Sequence, residues 1–151
     1  MAVRDIITLG NDLLSKKSHS ITNFDERLWS LLDDMQDTMR EYDGVGLAAV
    51  QIGILRRVVV IDVGEGYYEL INPQIISFNG SQYGQEGCLS VPGKHGNVER
   101  PMEVTYEAFD RNGNKYSKTV SGLFARCVCH ELDHLDGKLY VELADSIQDN
   151  E

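Results

Sequence analysis

The sequence predicts an α+β fold in which antiparallel β-sheets surround a central helix. Two helical patterns lie towards the two ends of the chain, and short β-branched or alternating segments lie between them. This order differs from the regular strand–helix alternation of a parallel sheet. A chain of 151 residues with 42% hydrophobic residues is long enough to bury one core, so we expect residues 1–151 to form one domain.

Composition argues against several classes of protein. A formal charge of −10 argues against a nucleic-acid partner, because phosphate binding needs a clustered basic surface. No apolar run approaches the roughly 18 to 20 residues that a membrane-spanning helix needs, and the first residues lack the features of a targeting segment. Three cysteines are too few for a disulfide scaffold, so we expect a soluble cytoplasmic protein with free thiols.

The first predicted element is an amphipathic helix over residues 23–42. Its apolar residues recur at helical spacing and would form a single stripe: Leu28, Leu31, Leu32, Met35 and Met39. We expect this stripe to pack on the core. A glycine-rich turn at residues 43–46 follows the helix and leads into residues 47–51.

The middle of the chain is predicted to form strands. They are expected at residues 57–63, 68–72, 74–78, 104–109 and 115–120. Pro73 separates the second strand from the third, because proline cannot donate a hydrogen bond to a sheet. Asn112 and Gly113 form the turn of a hairpin between the last two strands.

The second helix is predicted over residues 121–136, with Ser121 as N-cap and Gly137 as the stop. It carries His130 and His134 at positions i and i+4, so both imidazoles could bind one metal ion. Glu131 would then lie beside the ion, where it could take a proton from water. The alternative is that both histidines only pack at the edge of the core.

A catalytic metal site generally takes three protein ligands, so a third ligand must come from elsewhere. Cys88, which lies between glycine-rich segments, is favoured over Cys127, which would have to bend back along its own helix. Cys129 is rotated about 100° from His130 and points away. Cys127 and Leu123 continue the stripe of the histidines and would form an apolar wall beside them.

Three motifs, in the order in which they occur along the chain, resemble those of the peptide deformylase family. Members of this family are metal hydrolases that remove the formyl group from N-formylmethionyl peptides. The motifs are residues 44–51 (GVGLAAVQ), 86–90 (EGCLS) and 130–137 (HELDHLDG). The resemblance extends over about residues 5–145. It implies a single deformylase-like catalytic domain, with antiparallel sheets around the helix that carries H-E-x-x-H.

The resemblance implies a role for each matching residue. The ligands of one divalent metal ion would be Cys88, His130 and His134. Glu131 would be the general acid and base for the attacking water, which the metal activates. The side-chain amide of Gln51 and the backbone N–H of Leu89 would stabilise the oxyanion of the tetrahedral intermediate.

The resemblance also implies a peptide-binding cleft. The chain would pair with the substrate, as an added strand, through the backbone of Val45, Gly46 and Gly87. The pocket for the methionine side chain would lie near Leu123, Arg126 and Cys127. We also expect Glu86 to form an ion pair with Arg100, and His95 to lie in an exposed loop.

The resemblance implies iron(II) as the metal in the cell, with zinc, nickel or cobalt in isolated protein. The implied partners are N-formylmethionyl nascent peptides. We expect the protein to be a monomer in a bacterial-type cytoplasm. We expect neither nucleic acid nor membrane as a direct partner. The chain ends in a short acidic tail that we expect to be solvated, so ribosome docking would not use a long basic C-terminal helix. Two alternatives remain: a metallopeptidase of other specificity, and a non-catalytic metal-binding relative.

Overall fold

Two antiparallel sheets and two α-helices organise residues 2–150, the part of the chain that the computed structural model describes. The helices are α1 (Glu26–Glu41) and α2 (Gly122–Leu135). The strands are β1 (Gly46–Ala48), β2 (Val58–Ile61), β3 (Tyr68–Asn79), β4 (Gln82–Cys88), β5 (Val91–Arg100), β6 (Glu103–Phe109), β7 (Lys115–Ser121) and β8 (Ile147–Asp149). Across residues 2–150, neither helix has the length and apolar character needed to cross a bilayer.

The strands form one sheet of order β1-β2-β3-β6-β7 and a second of order β4-β5-β8. Helices α1 and α2 cover opposite faces of the larger sheet. Val59 and Ile61 of β2 belong to the core beside α2, whereas Val58 and Val60 belong to the core beside α1. All four residues of β2 are therefore buried, as expected for a strand covered on both faces. The predicted α+β class is confirmed.

Helix α1 begins three residues later than predicted, because Asp25 caps it. The Oδ1 atom of Asp25 accepts a hydrogen bond from the backbone N–H of Leu28 at 3.3 Å. The predicted apolar stripe is buried along its whole length, from Leu28 to Met39. The stripe is therefore confirmed as the core-facing side of the helix.

The prediction of two strands on either side of Pro73 was wrong, because β3 runs through the proline without a break. The pairing of β3 with β6 shifts register between Ile71 and Gln74, so Pro73 lies at an irregularity where the regular ladder is interrupted. The hairpin between β6 and β7 is confirmed, with Gly113 at a φ of 82° in its turn.

The smaller sheet contains the largest departures from prediction. Strands β4 and β5 were not predicted, and His95 lies half-buried within β5 rather than in an exposed loop. The acidic tail is not simply solvated, because β8 pairs with β5 and places Gln148 opposite His95. The Nδ1 atom of His95 is 2.6 Å from the Oδ1 atom of Asn150, which fixes the tail further.

Candidate active site

Helix α2 brings the two histidines together. It begins after Ser121, which has an extended backbone but makes no side-chain cap, and it ends before Gly137, whose φ is 76°. The ring centroids of His130 and His134 are 5.0 Å apart. Both side chains are buried, at 8% and 0% exposure, so they are oriented by the surrounding protein rather than by solvent.

Cys88 joins the histidines from the end of β4. Its Sγ atom is 3.4 Å from the Nε2 atom of His134, next to the tight turn at Leu89 and Ser90 that leads into β5. One donor atom from each of Cys88, His130 and His134 lies within 4.8 Å of the other two. A thiolate and two imidazoles at this spacing suit a tetrahedral transition-metal ion such as zinc or iron(II), so the donor set fits a metal.

The second candidate thiol has a different environment. The Sγ atom of Cys127 lies 3.8 Å from the carbonyl oxygen of Val45, outside the cluster of three donors. Burial raises the pKa of Cys127 well above its usual value, and the nearby carboxylate of Glu131 raises it further. Cys127 is therefore a neutral thiol that lines the cleft.

A network of charged groups holds His130 from behind. The Nδ1 atom of His130 is 2.9 Å from Oε1 of Glu86, so the ring presents its Nε2 atom to the donor cluster. Glu86 also accepts two hydrogen bonds from Arg100 and one from Arg126. Burial alone would raise the pKa of Glu86, but hydrogen bonds from Arg100 and His130 lower it to about 2. The predicted ion pair of Glu86 with Arg100 is confirmed.

Glu131 has the opposite environment in the same site. Its side chain is 4% exposed, and within residues 2–150 its Oε1 atom has no hydrogen-bond partner. Burial is the main cause that raises the pKa of Glu131 to about 7. A carboxyl group with a pKa near neutrality can both accept and return a proton at physiological pH.

Gln51 is fixed with its amide group next to Cys88. Its Oε1 atom accepts a hydrogen bond from the backbone N–H of Ala48 at 2.9 Å. Its Nε2 atom is 3.2 Å from Oγ of Ser90 and 3.6 Å from Sγ of Cys88. The side-chain donor therefore points towards the proposed metal site, and Leu89 lines the same cavity one residue beyond Cys88.

A cavity of about 590 Å³ opens in front of these groups. Its lining contains every predicted substrate-binding residue: Val45, Gly46, Gly87, Leu123, Arg126 and Cys127. The cavity lies between β1, an edge strand of the larger sheet, and β4, an edge strand of the smaller sheet. Two edge strands beside one cleft allow an extended peptide to pair with the backbone.

Arg126 lines this cavity, but its guanidinium group is used inside the protein. The Nη1 atom donates to Oε2 of Glu86 at 2.7 Å and to the carbonyl oxygen of Val98 at 3.0 Å. The charge of Arg126 therefore compensates Glu86. Only the remaining surface of the side chain faces the cleft.

Tyr140 is a site residue that the sequence did not reveal. Its ring stacks on His130, with centroids 6.0 Å apart and an interplanar angle of 27°. It lies in a short 3₁₀ helix, Tyr140–Glu142, and no local pattern links this helix to the H-E-x-x-H motif. Cys129, by contrast, faces away as predicted and packs in the core beside α2.

Comparisons with known proteins agree on one family. The sequence model described as polypeptide deformylase matches residues 3–150. A peptide deformylase from Caldicellulosiruptor bescii is 55% identical over 142 residues, which cover 94% of this chain and 86% of that protein.

Solved structures give the same result. A peptide deformylase from Legionella pneumophila has a TM-score of 0.93 at 43% identity, covering 95% of this chain and 87% of that one. A peptide deformylase from Synechococcus elongatus, in complex with actinonin, has a TM-score of 0.91 at 38% identity, covering 94% and 79%.

Proposed function

Because this chain belongs to the peptide deformylase family, it is an enzyme that removes the formyl group from N-formylmethionyl peptides by hydrolysis, and we propose how its residues perform that reaction. The observation that carries the proposal is the geometry around Cys88. Three metal-binding atoms within 4.8 Å lie at the wall of a cavity, beside an oriented amide donor and a buried carboxylate whose Oε1 atom has no hydrogen-bond partner among residues 2–150.

The ligands of a single divalent ion are Cys88, His130 and His134. The ion would supply Lewis acidity, which makes water a stronger nucleophile and polarises a carbonyl group. Glu86 holds His130 in the tautomer that leaves Nε2 free to bind. The metal in the cell is iron(II), and zinc, nickel or cobalt can take its place in isolated protein.

Glu131 moves the proton. Its carboxylate accepts the proton of the attacking water and then donates it to the amine that leaves. The absence of a fixed hydrogen bond to Oε1, within residues 2–150, leaves that oxygen available for this transfer. Burial raises the pKa of Glu131 to about 7, so at neutral pH its carboxyl group can both accept and return a proton.

Gln51 and the backbone N–H of Leu89 stabilise the oxyanion. The amide of Gln51 is held from its oxygen side by Ala48, so its Nε2 atom is preorganised before the substrate arrives. Preorganised donors lose little reorganisation energy when charge develops on the carbonyl oxygen. The turn at Leu89 places its backbone next to Cys88.

The cleft selects an N-terminal methionine through its side chain and the rest of the peptide through its backbone. Leu123 and Cys127 provide an apolar surface for the thioether chain. Backbone groups of Val45, Gly46 and Gly87 pair with the peptide, which gives affinity without strong sequence preference. Nascent peptides carry such N-termini, so we place the enzyme in the cytoplasm, as a monomer.

The test is formate release from N-formyl-Met-Ala-Ser by protein purified anaerobically with iron(II), with the metal content measured in parallel. We expect rapid release by the native enzyme and none by Glu131→Ala at equal metal content. Hydrolysis of unformylated Met-Ala-Ser would support the metallopeptidase instead. No release by fully metallated native protein would support a non-catalytic relative, an alternative that the comparisons do not favour.

A further inference from the structure

The C-terminal tail of the protein reaches the active-site cavity. Strand β8 pairs with β5, on the side of the smaller sheet away from β4. The residue that follows β8, Asn150, lines the same cavity as Gly87 and Cys88, and among residues 136–150 it alone does so. Neither metal binding nor proton transfer uses Asn150, so its place in the cavity wall needs another explanation.

An irregular part of β5 brings the tail to the cavity. The register of β4 with β5 shifts between Glu86 and Cys88, where β4 has one residue, Gly87, and β5 has residues 92–95. Extra residues of this kind bend a strand away from the regular ladder. A Cβ added at Gly87 would lie 3.5 Å from the carbonyl oxygen of Lys94, so these extra residues lie directly against Gly87. We call residues 92–95 the bulge.

The tail is fixed on the bulge by its backbone and by an ion pair. The backbone N–H of Asn150 donates to the carbonyl oxygen of Gly93 at 2.8 Å. Asp149 pairs with Lys94 in the register of β8 with β5, and the Nζ atom of Lys94 forms an ion pair with Oδ1 of Asp149. The main chain of Asn150 is therefore held at the cavity wall before any peptide binds.

The side chain of Asn150 is oriented through its oxygen. Its Oδ1 atom lies 2.6 Å from Nδ1 of His95, and because an amide oxygen only accepts, Nδ1 of His95 carries the proton of this hydrogen bond. His95 does not line the cavity. Within residues 2–150, no acceptor lies within hydrogen-bonding distance of the Nδ2 atom of Asn150. Asn150 therefore resembles Gln51, an amide held by its oxygen whose N–H donors remain for a ligand.

The chemistry of this wall suits a neutral acceptor on an extended peptide. Lys94 also lines the cavity, but Asp149 compensates its charge, so the wall does not offer a free cation to an acidic side chain. The N–H groups of Asn150 match a backbone carbonyl. Gly87 precedes the metal ligand Cys88, so a peptide that begins at the metal and pairs with Gly87 would pass the bulge with its later residues.

We propose that Asn150 binds the substrate, by donating a hydrogen bond from Nδ2 to a backbone carbonyl at the third peptide residue or beyond. The inference rests on the proposed function, because it places the formyl group of the peptide at Cys88, His130 and His134. A backbone carbonyl is common to all peptides, so Asn150 would select for the length of the peptide rather than for its sequence. One hydrogen bond contributes little net free energy, so the expected effect is modest.

The experiment compares formate release by the metallated enzyme from C-terminally amidated formyl-Met-Ala, formyl-Met-Ala-Ser and formyl-Met-Ala-Ser-Ala. The test variants are Asn150→Ala and Asn150→Asp. Aspartate keeps an oxygen for His95 but lacks the N–H donors, so it separates fixing the tail from donating to the substrate. The matched controls are Gln148→Ala and Gln148→Glu, because Gln148 is exposed on β8 and does not line the cavity.

We expect both Asn150 variants to raise the KM for the longest peptide relative to the KM for formyl-Met-Ala. The ratio should rise by about 2- to 10-fold, the value of one hydrogen bond, and both Gln148 variants should keep the native ratio. An unchanged ratio in the Asn150 variants would overturn the proposal. A native ratio in Asn150→Asp with a raised one in Asn150→Ala would also overturn it, because Asn150 would then only fix the tail.

Peptide binding distinguishes failure of this inference from failure of the proposed function. Calorimetry measures the affinity of amidated formyl-Met-Ala-Ser-Ala for metallated Glu131→Gln, with and without Asn150→Ala; we expect little turnover without the carboxylate of Glu131. Weaker binding after Asn150→Ala would support the inference, and no formate release by the native enzyme would then count against the proposed function alone. Equal binding by the two proteins, with formate release by the native enzyme, would overturn the inference alone.

Discussion

Glu86 and Glu131 are buried to nearly the same extent in one site, at 5% and 4% exposure, yet their surroundings are opposite. Glu86 belongs to the rear wall, which we define as Glu86, Arg100, Arg126 and Asp133. Every charge in this wall faces an opposite charge. Glu131 faces the cleft, where its Oε1 atom has no partner within residues 2–150.

The two environments suit the two glutamates to different roles: Glu86 orients a metal ligand, and Glu131 transfers a proton. Arg100 and Arg126 donate hydrogen bonds to Glu86, so its carboxylate remains charged. The same carboxylate lies within hydrogen-bonding distance of Nδ1 of His130 and fixes that ring. In the described part of the chain, the Oε1 atom of Glu131 has no such donor, and burial raises the pKa of Glu131 to about 7. A glutamate that has to transfer a proton needs the second environment, and one that has to orient a metal ligand needs the first.

The largest effect is expected from Glu131→Gln, which keeps the shape of the side chain and removes its proton-accepting oxygen. Losing the general base should lower kcat by about 10²- to 10⁴-fold. Stability should not fall, because the Oε1 atom of the replaced carboxylate is buried and no group of residues 2–150 donates a hydrogen bond to it. Formate release and thermal unfolding of the same metallated sample check both effects. A variant that loses its metal would show that Glu131 maintains the site rather than moving a proton.

Cys88→Ser tests whether the active-site cavity contains one metal-binding thiol or two. Replacing a residue that only orients a ligand costs about 10- to 100-fold in metal affinity, so loss of the ligand itself should cost more. Cys127→Ser is the matched control, since its Sγ atom lies near Val45 and outside the donor cluster. Competition with a chromogenic chelator measures both affinities. The reverse order of affinities would contradict the ligand assignment.

Glu86→Gln should weaken the rear wall without removing a reacting group. We expect metal affinity to fall by about 10- to 100-fold, and unfolding free energy to fall by roughly 3–5 kcal/mol, because Arg100 and Arg126 lose a buried partner. Glu107→Gln is the control, since it removes a partner of Lys115 at the surface, where solvent screens the ion pair, and should cost far less stability. Chemical denaturation of the two apoproteins and metal titration measure the difference. Equal costs would mean that the wall is not a stabilising network.

The same contrast separates what the sequence could predict from what it could not. His130 and His134 were predictable because helical spacing alone places them on one face, and the donor cluster confirms that they lie together. The position of Cys88 followed from its glycine-rich surroundings and from the resemblance of its motif. Both rest on local patterns, which sequence reports well.

The rear wall and the smaller sheet depend on contacts that are distant along the chain. Glu86 and Arg126 are separated by 40 residues along the chain, and the tertiary fold brings the Nη1 atom of Arg126 within 2.7 Å of Oε2 of Glu86. Strands β4 and β5 lack the β-branched alternation that predicts strands, because glycine and charged residues occupy many of their positions. Pairing with each other, rather than intrinsic propensity, makes them extended.

The smallest effect of the four substitutions is expected at Gly46, where neighbouring side chains of the active-site cavity leave no room for a Cβ atom. A Cβ added there would lie 2.7 Å from Sγ of Cys127 and 2.8 Å from Oε2 of Glu131, so one of them must shift. Gly46→Ala should lower the unfolding free energy by about 1–3 kcal/mol through overpacking. A Cβ added at Gly87 would lie 3.5 Å from the carbonyl oxygen of Lys94, an ordinary contact, so the stability of Gly87→Ala should change by less than about 0.5 kcal/mol. Thermal unfolding of the two variants measures the contrast. Equal losses of stability in the two variants would show that the crowding of Gly46 by Cys127 and Glu131 does not determine the cost of a side chain there.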